Sequence, residues 1–240
     1  MDIVEVRMKE VSKAINRKDF GKAKILITGG IKIAKKKEHL GTVAQWQEQL
    51  LRIAVLEKDM AIIRYYTKLF AFDRWFNESY YNQWKQTFTV TEWKNVIEQH
   101  IEQTINEITR DHEKNRKKMW NPSANPPLLR VIAPVYIQEK YWDRLLALVQ
   151  KEADLYAILE YHKYLSRDYP GELIEMYLQA FEHRADKCNS RSEYGELAGK
   201  MKMVIKDIPA AKPKIIVLAK SLKQKYPRRP AMIEELDKIK

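Results

Sequence analysis

The chain has 240 residues, of which 45% are hydrophobic and 32% are charged, and its formal net charge is +12. This length can bury a core, while many charges and only seven glycines favour helices over sheets. A single cysteine excludes an intrachain disulfide framework and is typical of a reducing compartment. Residues 1–7 lack a signal-peptide pattern, and no apolar run reaches the roughly 18 residues of a membrane span. We therefore expect a cytoplasmic protein without a membrane segment.

Apolar residues at three- and four-residue spacing predict helices along the whole chain. In the first half these are residues 2–16, 20–37, 41–57, 59–73, 77–87 and 91–115, and in the second half 127–138, 140–150, 153–167, 171–187, 191–206, 212–225 and 230–239. Short joints between successive helices are typical of antiparallel helix pairs arranged in series. We expect an all-α fold, a tetratricopeptide-like superhelix of stacked antiparallel helix pairs. Its helix content should exceed roughly 60%, well above the third found in ordinary globular proteins.

Residues 25–30 are the best candidate for a strand, because four of them form a β-prone run before two glycines. The same residues are equally compatible with a helix that breaks at Gly29 and Gly30. The sequence leaves these two alternatives open.

Aromatic residues are concentrated between positions 65 and 93, where 11 of the chain's 25 aromatic residues fall within 29 positions. The simplest interpretation is that these rings fill the layer between helices. Adjacent residues on a helix are about 100° apart, so adjacent aromatic pairs cannot all face inward. Exposed Tyr and Trp side chains are favoured anchors for partner proteins. The sequence therefore also predicts a partner-binding surface, with Trp75, Tyr80, Tyr81 and Trp84 as its candidate residues.

The strongest domain boundary is the segment 110–127, in which charged residues give way to three prolines. Proline and asparagine end a helix and favour a loop or linker. The sequence therefore predicts an N-terminal helical-repeat region at residues 1–115, a connector at 116–127 and a C-terminal helical-repeat region at 128–240.

The C-terminal joint is the clearest helix punctuation in the chain. Leu218, Leu222 and Tyr226 share one helix face, and Pro227 cannot continue that helix. Pro230 suits the first turn of the next helix, where a missing N–H has no consequence. The pattern of Leu165 with Tyr169 and Pro170 repeats this joint 57 residues earlier. We expect Tyr226 to be buried where the two helices meet.

A resemblance to a known family rests on these joints. Residues 226–231 read YPRRPA, and residues 136–146, 164–170 and 193–197 fit the same region. Together they resemble the C-terminal helical region of bacterial SWIM zinc finger family proteins, over roughly residues 128–240. The resemblance implies that this chain is either the helical part of a longer protein or a relative that lacks the zinc finger. The family's zinc-binding CxC and CxH pattern does not occur in a chain whose only cysteine is Cys188, so the zinc chemistry is not carried over.

The positive charge lies mainly at the two ends of the chain. Residues 1–40 hold 11 Lys/Arg against 5 Asp/Glu, and residues 210–240 hold 9 against 3. Solvated helix ends explain such runs, because lysines near a helix C-terminus interact favourably with its dipole. A nucleic-acid or other polyanion site is the alternative, with Lys35, Lys36, Lys37, Arg228 and Arg229 as candidate residues. No recognised nucleic-acid-binding motif accompanies them.

Catalytic and metal-binding patterns are absent from the sequence. The five histidines are scattered, without an HExxH motif, and Gly29–Gly30 fits neither phosphate-binding glycine pattern. No GxSxG motif occurs. We therefore expect a non-enzymatic scaffold or protein-interaction module without metal or cofactor, whose protein partner the sequence does not identify. A nucleic-acid-associated helical domain is the alternative.

Overall fold

The computed structural model describes residues 3–116, 118, 125–152 and 154–239, with no account of the side chains of Ile3 and Glu152. Over this part of the chain the fold is all-α: helices make up 83% of it, and it contains 13 α-helices and no strand. The predicted fold class is thereby confirmed. The helices in chain order are α1 (Ile3–Asn16), α2 (Phe20–Lys36), α3 (Leu40–Glu57), α4 (Met60–Phe72), α5 (Glu78–Gln86), α6 (Val90–Arg116), α7 (Leu129–Glu139), α8 (Trp142–Glu152), α9 (Leu155–Leu165), α10 (Pro170–Lys187), α11 (Arg191–Asp207), α12 (Lys212–Lys225) and α13 (Pro230–Leu236).

The helix boundaries follow local capping chemistry, and every predicted boundary lies within three residues of the observed one. Side chains accept hydrogen bonds from first-turn N–H groups at the starts of α2, α4, α5, α9 and α11, where the caps are Asp19, Asp59, Asn77, Asp154 and Ser190. These bonds satisfy donors that have no partner within the helix. The chain therefore marks five of its helix starts with short polar side chains.

Helix α2 runs through Gly29 and Gly30 without a break, so neither the strand nor the broken helix occurs at residues 25–30. The two glycines instead allow close packing. A Cβ atom on Gly30 would come within 2.5 Å of Cε2 of Trp46, and one on Gly29 within 2.8 Å of Nη1 of Arg7. Helix α3 thus approaches α2 at Gly30, where a side chain would overlap the ring of Trp46, whereas the atom near Gly29 is the far end of the flexible Arg7 side chain.

The chain divides into two compact units, residues 1–100 and residues 101–240. Helices α1, α2 and α3 enclose one core of the first unit, with Ile27, Trp46 and Ile53 at most 1% exposed. The second unit is built around fully buried side chains of α8, α9 and α10: Leu145, Ile158, Leu165, Leu173, Tyr177 and Phe181. Most of the predicted connector, residues 117 and 119–124, lies outside the described residues, and the predicted domain boundaries stay a prediction.

Candidate functional site

The aromatic cluster of residues 65–93 builds the interior between α4, α5 and the start of α6. Tyr81 is fully buried, and Trp84 and Trp93 are 2% and 4% exposed. Their rings meet edge to face, with centroids 4.8 Å apart for Trp84 and Trp93 and 5.6 Å apart for Tyr81 and Trp93. Such T-shaped pairs add to the free energy gained by burial. Tyr81 and Trp84 are therefore core residues, and their predicted exposure as partner anchors is wrong.

Trp75 and Tyr80 remain accessible near the joint between α4 and α5. Trp75 is 68% exposed, and Tyr80 is half-buried with its ring centroid 5.0 Å from that of Phe70. The joint bends at Arg74, whose backbone φ is +53°. The predicted surface is thus reduced to these two rings, and the remaining aromatic residues near them hold the joint in place.

A groove runs along the seam between α3 and α4, and the sequence analysis did not identify it. Two cavities of about 320 and 300 Å³ lie along this seam. The lining side chains recur at three- and four-residue spacing on both helices, so each helix contributes one continuous face. They include Leu40, Val43, Ala44, Gln47, Leu50 and Ala54 of α3, Ile62, Tyr66, Leu69 and Phe70 of α4, and Asp73 at the C-cap of α4. We call this surface the α3–α4 groove.

An exposed apolar cluster lies at the turn between the two helices, and its residue Ile62 lines one end of the groove. Val55, Leu56, Met60, Ile62 and Tyr65 are 39% to 59% exposed, all within 11 consecutive residues. They occupy the last turn of α3 and the first two turns of α4, which span only about 8 Å along the helix axis. We call these five residues the apolar tip. Single exposed apolar residues are ordinary, whereas a clustered set marks an interaction surface.

The charged residues beside the apolar tip leave it electropositive. Glu57 pairs with Lys24 at 2.6 Å, and Asp59 accepts the N–H of Ile62 at the start of α4. Arg52 and Lys58 are exposed next to the apolar side chains. Over residues 1–100 the sequence holds 18 Lys/Arg against 12 Asp/Glu. Acidic groups on a partner would therefore be attracted to this end of the unit.

The basic candidate residues divide into two structural classes. Lys35, Lys36 and Lys37 are exposed at the C-terminal end of α2, and Arg228 is exposed before α13. Arg229 is half-buried, and its Nη1 donates hydrogen bonds to the carbonyl oxygens of Ala185 and Cys188, each at 3.1 Å. Arg229 thus stabilises the C-terminal end of α10, and its guanidinium already has hydrogen-bond partners within the fold.

Other cations of the C-terminal region are also paired within their own unit. Lys225 lies 3.3 Å from Glu182 and 3.1 Å from Asp186, and Lys223 lies 2.6 Å from Asp237. The carboxylates raise the pKa of Lys225, chiefly because its ammonium donates hydrogen bonds to Asp186 and Glu182. A polyanion would have to compete with these carboxylates, which lowers the attraction expected from charge counting alone.

A polar network joins α9, α10 and the end of α11 in the second unit. Nδ1 of His162 lies 3.0 Å from the hydroxyl of Tyr177, and Nε2 lies 3.5 Å from Oδ2 of Asp207. With the proton on Nε2 facing Asp207, Nδ1 accepts the hydrogen bond from Tyr177. Burial lowers the pKa of His162, although the charge of Asp207 opposes this, and burial raises the pKa of Tyr177. The network satisfies its own polar groups and holds three helices together.

Comparisons of the chain with protein-family models, with curated proteins and with solved structures found no significant match. Within the described ranges, no three His, Cys, Asp or Glu side chains come together as a metal site would require. No helix of the described part is long and apolar enough to cross a membrane. The site must therefore be interpreted from its own geometry.

Proposed function

We propose that this protein is a non-enzymatic scaffold whose α3–α4 groove binds a helix of a partner protein. The observation that carries the proposal is the apolar tip, where five large apolar side chains are 39% to 59% exposed and one of them, Ile62, also lines the groove. Removing such side chains from water on binding contributes roughly 25 cal/mol per Å². A cytoplasmic helical-repeat module would use the groove in this way.

The shape of the groove selects a helical partner. Its walls repeat at three and four residues along α4, a 13-residue helix. A helix of this length is about 20 Å long. An amphipathic helix of three to four turns presents apolar anchors at matching intervals and is a recurring mode of peptide recognition. Its flanks should carry Asp or Glu, because Arg52 and Lys58 border the apolar tip.

The architecture we propose is a tetratricopeptide-like superhelix. In the second unit, α10 contacts α12 and α11 contacts α13, in addition to contacts between successive helices. Contacts between alternate helices are what stacked helix pairs produce. The helical region of the SWIM zinc finger family remains the proposed relationship, supported by the joint sequences quoted above.

The proposal can be tested by placing a photo-crosslinking phenylalanine derivative at position 62 in the native cell. Position 131 is the matched control, since Val131 is 42% exposed and Ile62 is 39% exposed. We expect a crosslinked partner at position 62 that is missing at position 131. After the partner is identified and purified, Ile62→Glu should raise its Kd by at least about tenfold, and Val131→Glu should leave the Kd unchanged.

Two outcomes would contradict this function. One is equal crosslinking to the same proteins at both positions, which would indicate random collision. The other is a purified partner whose affinity does not respond to Ile62→Glu, which would place its binding site outside the groove. A partner segment that lacks amphipathic helical character would refute the proposed mode of recognition alone.

A further inference from the structure

Helix α2 presents a long exposed face that carries positive charge and no carboxylate. The helix contains lysines at five positions and neither Asp nor Glu. At about 100° per residue, four of its exposed side chains fall within an arc of about 80° and extend over about 21 Å of the helix. They are Lys22, Ile25, Lys32 and Lys36. We call these four residues the cationic face of α2, and none of them lines the α3–α4 groove.

An arginine of α1 adds a further cation in the middle of this face. Gly29 lies on the same side of α2, between Ile25 and Lys32, and contributes no side chain. A Cβ atom there would lie 2.8 Å from Nη1 of Arg7, and this Nη1 donates a hydrogen bond to the carbonyl oxygen of Leu26 at 3.3 Å. The guanidinium of Arg7 therefore lies over Gly29, and the positive charge continues along the face.

The carboxylates of α1 are already paired with lysines of α1 itself. Glu5 lies 2.9 Å from Lys9, and Glu10 lies 2.8 Å from Lys13. The pKa of Glu10 is lowered chiefly by Lys13, with a smaller contribution from the charge of Lys22. Within the described ranges, no cation of the face forms an ion pair. The face therefore attracts an anionic partner without first having to release a carboxylate of its own unit.

The exposed isoleucines of α2 distinguish between the possible anionic partners. Ile25 is 74% exposed in the middle of the cationic face, and Ile33 is 42% exposed on its flank. A nucleic acid offers phosphates to the cations, but its bases stack on aromatic side chains, which this face lacks. At the surface of a bilayer, aliphatic side chains enter the boundary between headgroups and acyl chains, while lysine stems extend toward the phosphates. An anionic bilayer thus matches both the charge and the isoleucines.

We propose that the cationic face of α2 docks on an anionic phospholipid bilayer, with the helix axis parallel to the membrane surface. Lys22, Lys32 and Lys36 interact with the anionic headgroups, as does the guanidinium of Arg7. Ile25 enters the boundary between the headgroups and the acyl chains. The docking is peripheral and needs no membrane-spanning helix. Because the face and the α3–α4 groove share no residue, either proposal can fail without the other.

The test is co-sedimentation of the full chain with vesicles of phosphatidylcholine alone and of an equal mixture of phosphatidylcholine and phosphatidylglycerol. We expect binding to the mixed vesicles that weakens as salt is added, and none to phosphatidylcholine alone. Lys32→Gln should weaken the binding by about fivefold, since it removes one charge from the membrane contact. Lys94→Gln is the matched control, because Lys94 is an exposed lysine of α6 in the same unit and should leave the binding unchanged.

The contribution of the apolar contact is measured with Ile25→Ser, which should weaken vesicle binding by at least about threefold. Val90→Ser is its control, since Val90 is 79% exposed at the start of α6. Equal binding to the two kinds of vesicle would overturn the proposal. So would equal binding by the Lys32→Gln and Lys94→Gln variants, or by the Ile25→Ser and Val90→Ser variants. A labelled oligonucleotide that binds more tightly than the mixed vesicles, and whose binding Ile25→Ser leaves unchanged, would assign the face to nucleic acid instead.

Discussion

The phenol O–H of Tyr226 donates a hydrogen bond to the carboxylate of Asp186, which lies forty residues earlier in the chain. Tyr169 makes the same kind of bond to Asp143. Both tyrosines precede a proline and have nearly the same backbone angles, φ −122° and ψ 56° for Tyr226 and φ −130° and ψ 47° for Tyr169. Their N–H groups bond to the carbonyl oxygens of Leu222 and Leu165 at 3.0 and 2.9 Å. The repeated sequence pattern is therefore a repeated structure.

The two joints differ after the proline. Helix α10 begins at Pro170 itself, whereas α13 begins at Pro230 after two arginines. Tyr226 is half-buried, less than the sequence suggests, and the guanidinium of Arg229 lies over its ring, 4.3 Å from the ring centroid. The longer joint thus places Arg229 where it reaches both Tyr226 and the end of α10.

Replacing Arg229 with Ala should destabilise the C-terminal unit by about 2–3 kcal/mol, because two carbonyl oxygens of the α10 terminus lose a charged donor. Arg228→Ala is the control. Arg228 is exposed, so its loss should change the free energy of unfolding by no more than about 0.5 kcal/mol. Urea unfolding of both variants measures the difference, and equal midpoints would show that the capping bonds contribute nothing.

Two glycine-to-alanine changes should act in opposite directions. Gly30→Ala places a methyl group 2.5 Å from the buried ring of Trp46 and should cost about 1–2 kcal/mol net of the helix propensity it gains. Gly199→Ala has open space within 4 Å in the middle of α11 and should stabilise by roughly 0.5–1 kcal/mol. Thermal unfolding provides the readout, and a stabilised Gly30→Ala variant would contradict the close approach of α2 and α3.

Acid should destabilise the first unit through His100. Burial, assisted by the charge of Lys68, lowers the pKa of His100 from 6.5 to about 4. Between these two pH values the unfolded chain binds a proton that the folded chain does not. The free energy of unfolding therefore falls as the pH drops through this window, by up to ~3 kcal/mol, and this contribution is flat below it.

The variant His100→Gln should remove this part of the pH dependence, whereas His39→Gln, at an exposed histidine of the same unit, should retain it. The measurement is the denaturation midpoint of each protein from pH 7 to pH 4. Parallel curves for the wild type and His100→Gln would rule out a buried neutral imidazole.

Nucleic acid should bind only weakly, with Kd in the range of roughly 10⁻⁴–10⁻⁶ M at physiological salt. The reason is that Arg229, Lys225 and Lys223 already engage groups of their own unit. Fluorescence anisotropy with a labelled oligonucleotide across a salt series tests this. Submicromolar binding that disappears when Lys35, Lys36 and Lys37 are all changed to Ala would instead support the nucleic-acid alternative.

The sequence predicts the helices well because their ends depend on local chemistry. Asp154 and Ser190 cap first-turn N–H groups, and Pro170 begins α10, all within a few residues of the boundary they determine. Burial is a tertiary property and was harder to predict. Tyr80 and Tyr81 are adjacent and chemically alike, yet only the packing of α4 and α6 decides that Tyr81 is the buried one.

The α3–α4 groove was missed for the same reason. Helix α4 carries apolar residues around most of its circumference, a pattern that normally indicates complete burial. The structure instead leaves Met60, Ile62 and Tyr65 exposed, because α3 and α5 cover only part of that surface. The sequence carries the apolar circumference of α4, whereas its partial cover depends on how α3 and α5 pack against it.

The reactivity of the Cys188 thiol can report how often the second unit opens locally. The thiol is fully buried at the C-terminal end of α10, and burial raises its pKa. It is also the only thiol in the chain. An alkylating reagent can react only when the joint between α10 and α11 separates, because the native thiol is both covered and protonated. The rate of alkylation, followed by mass spectrometry without any introduced label, therefore reports how often this joint opens under native conditions.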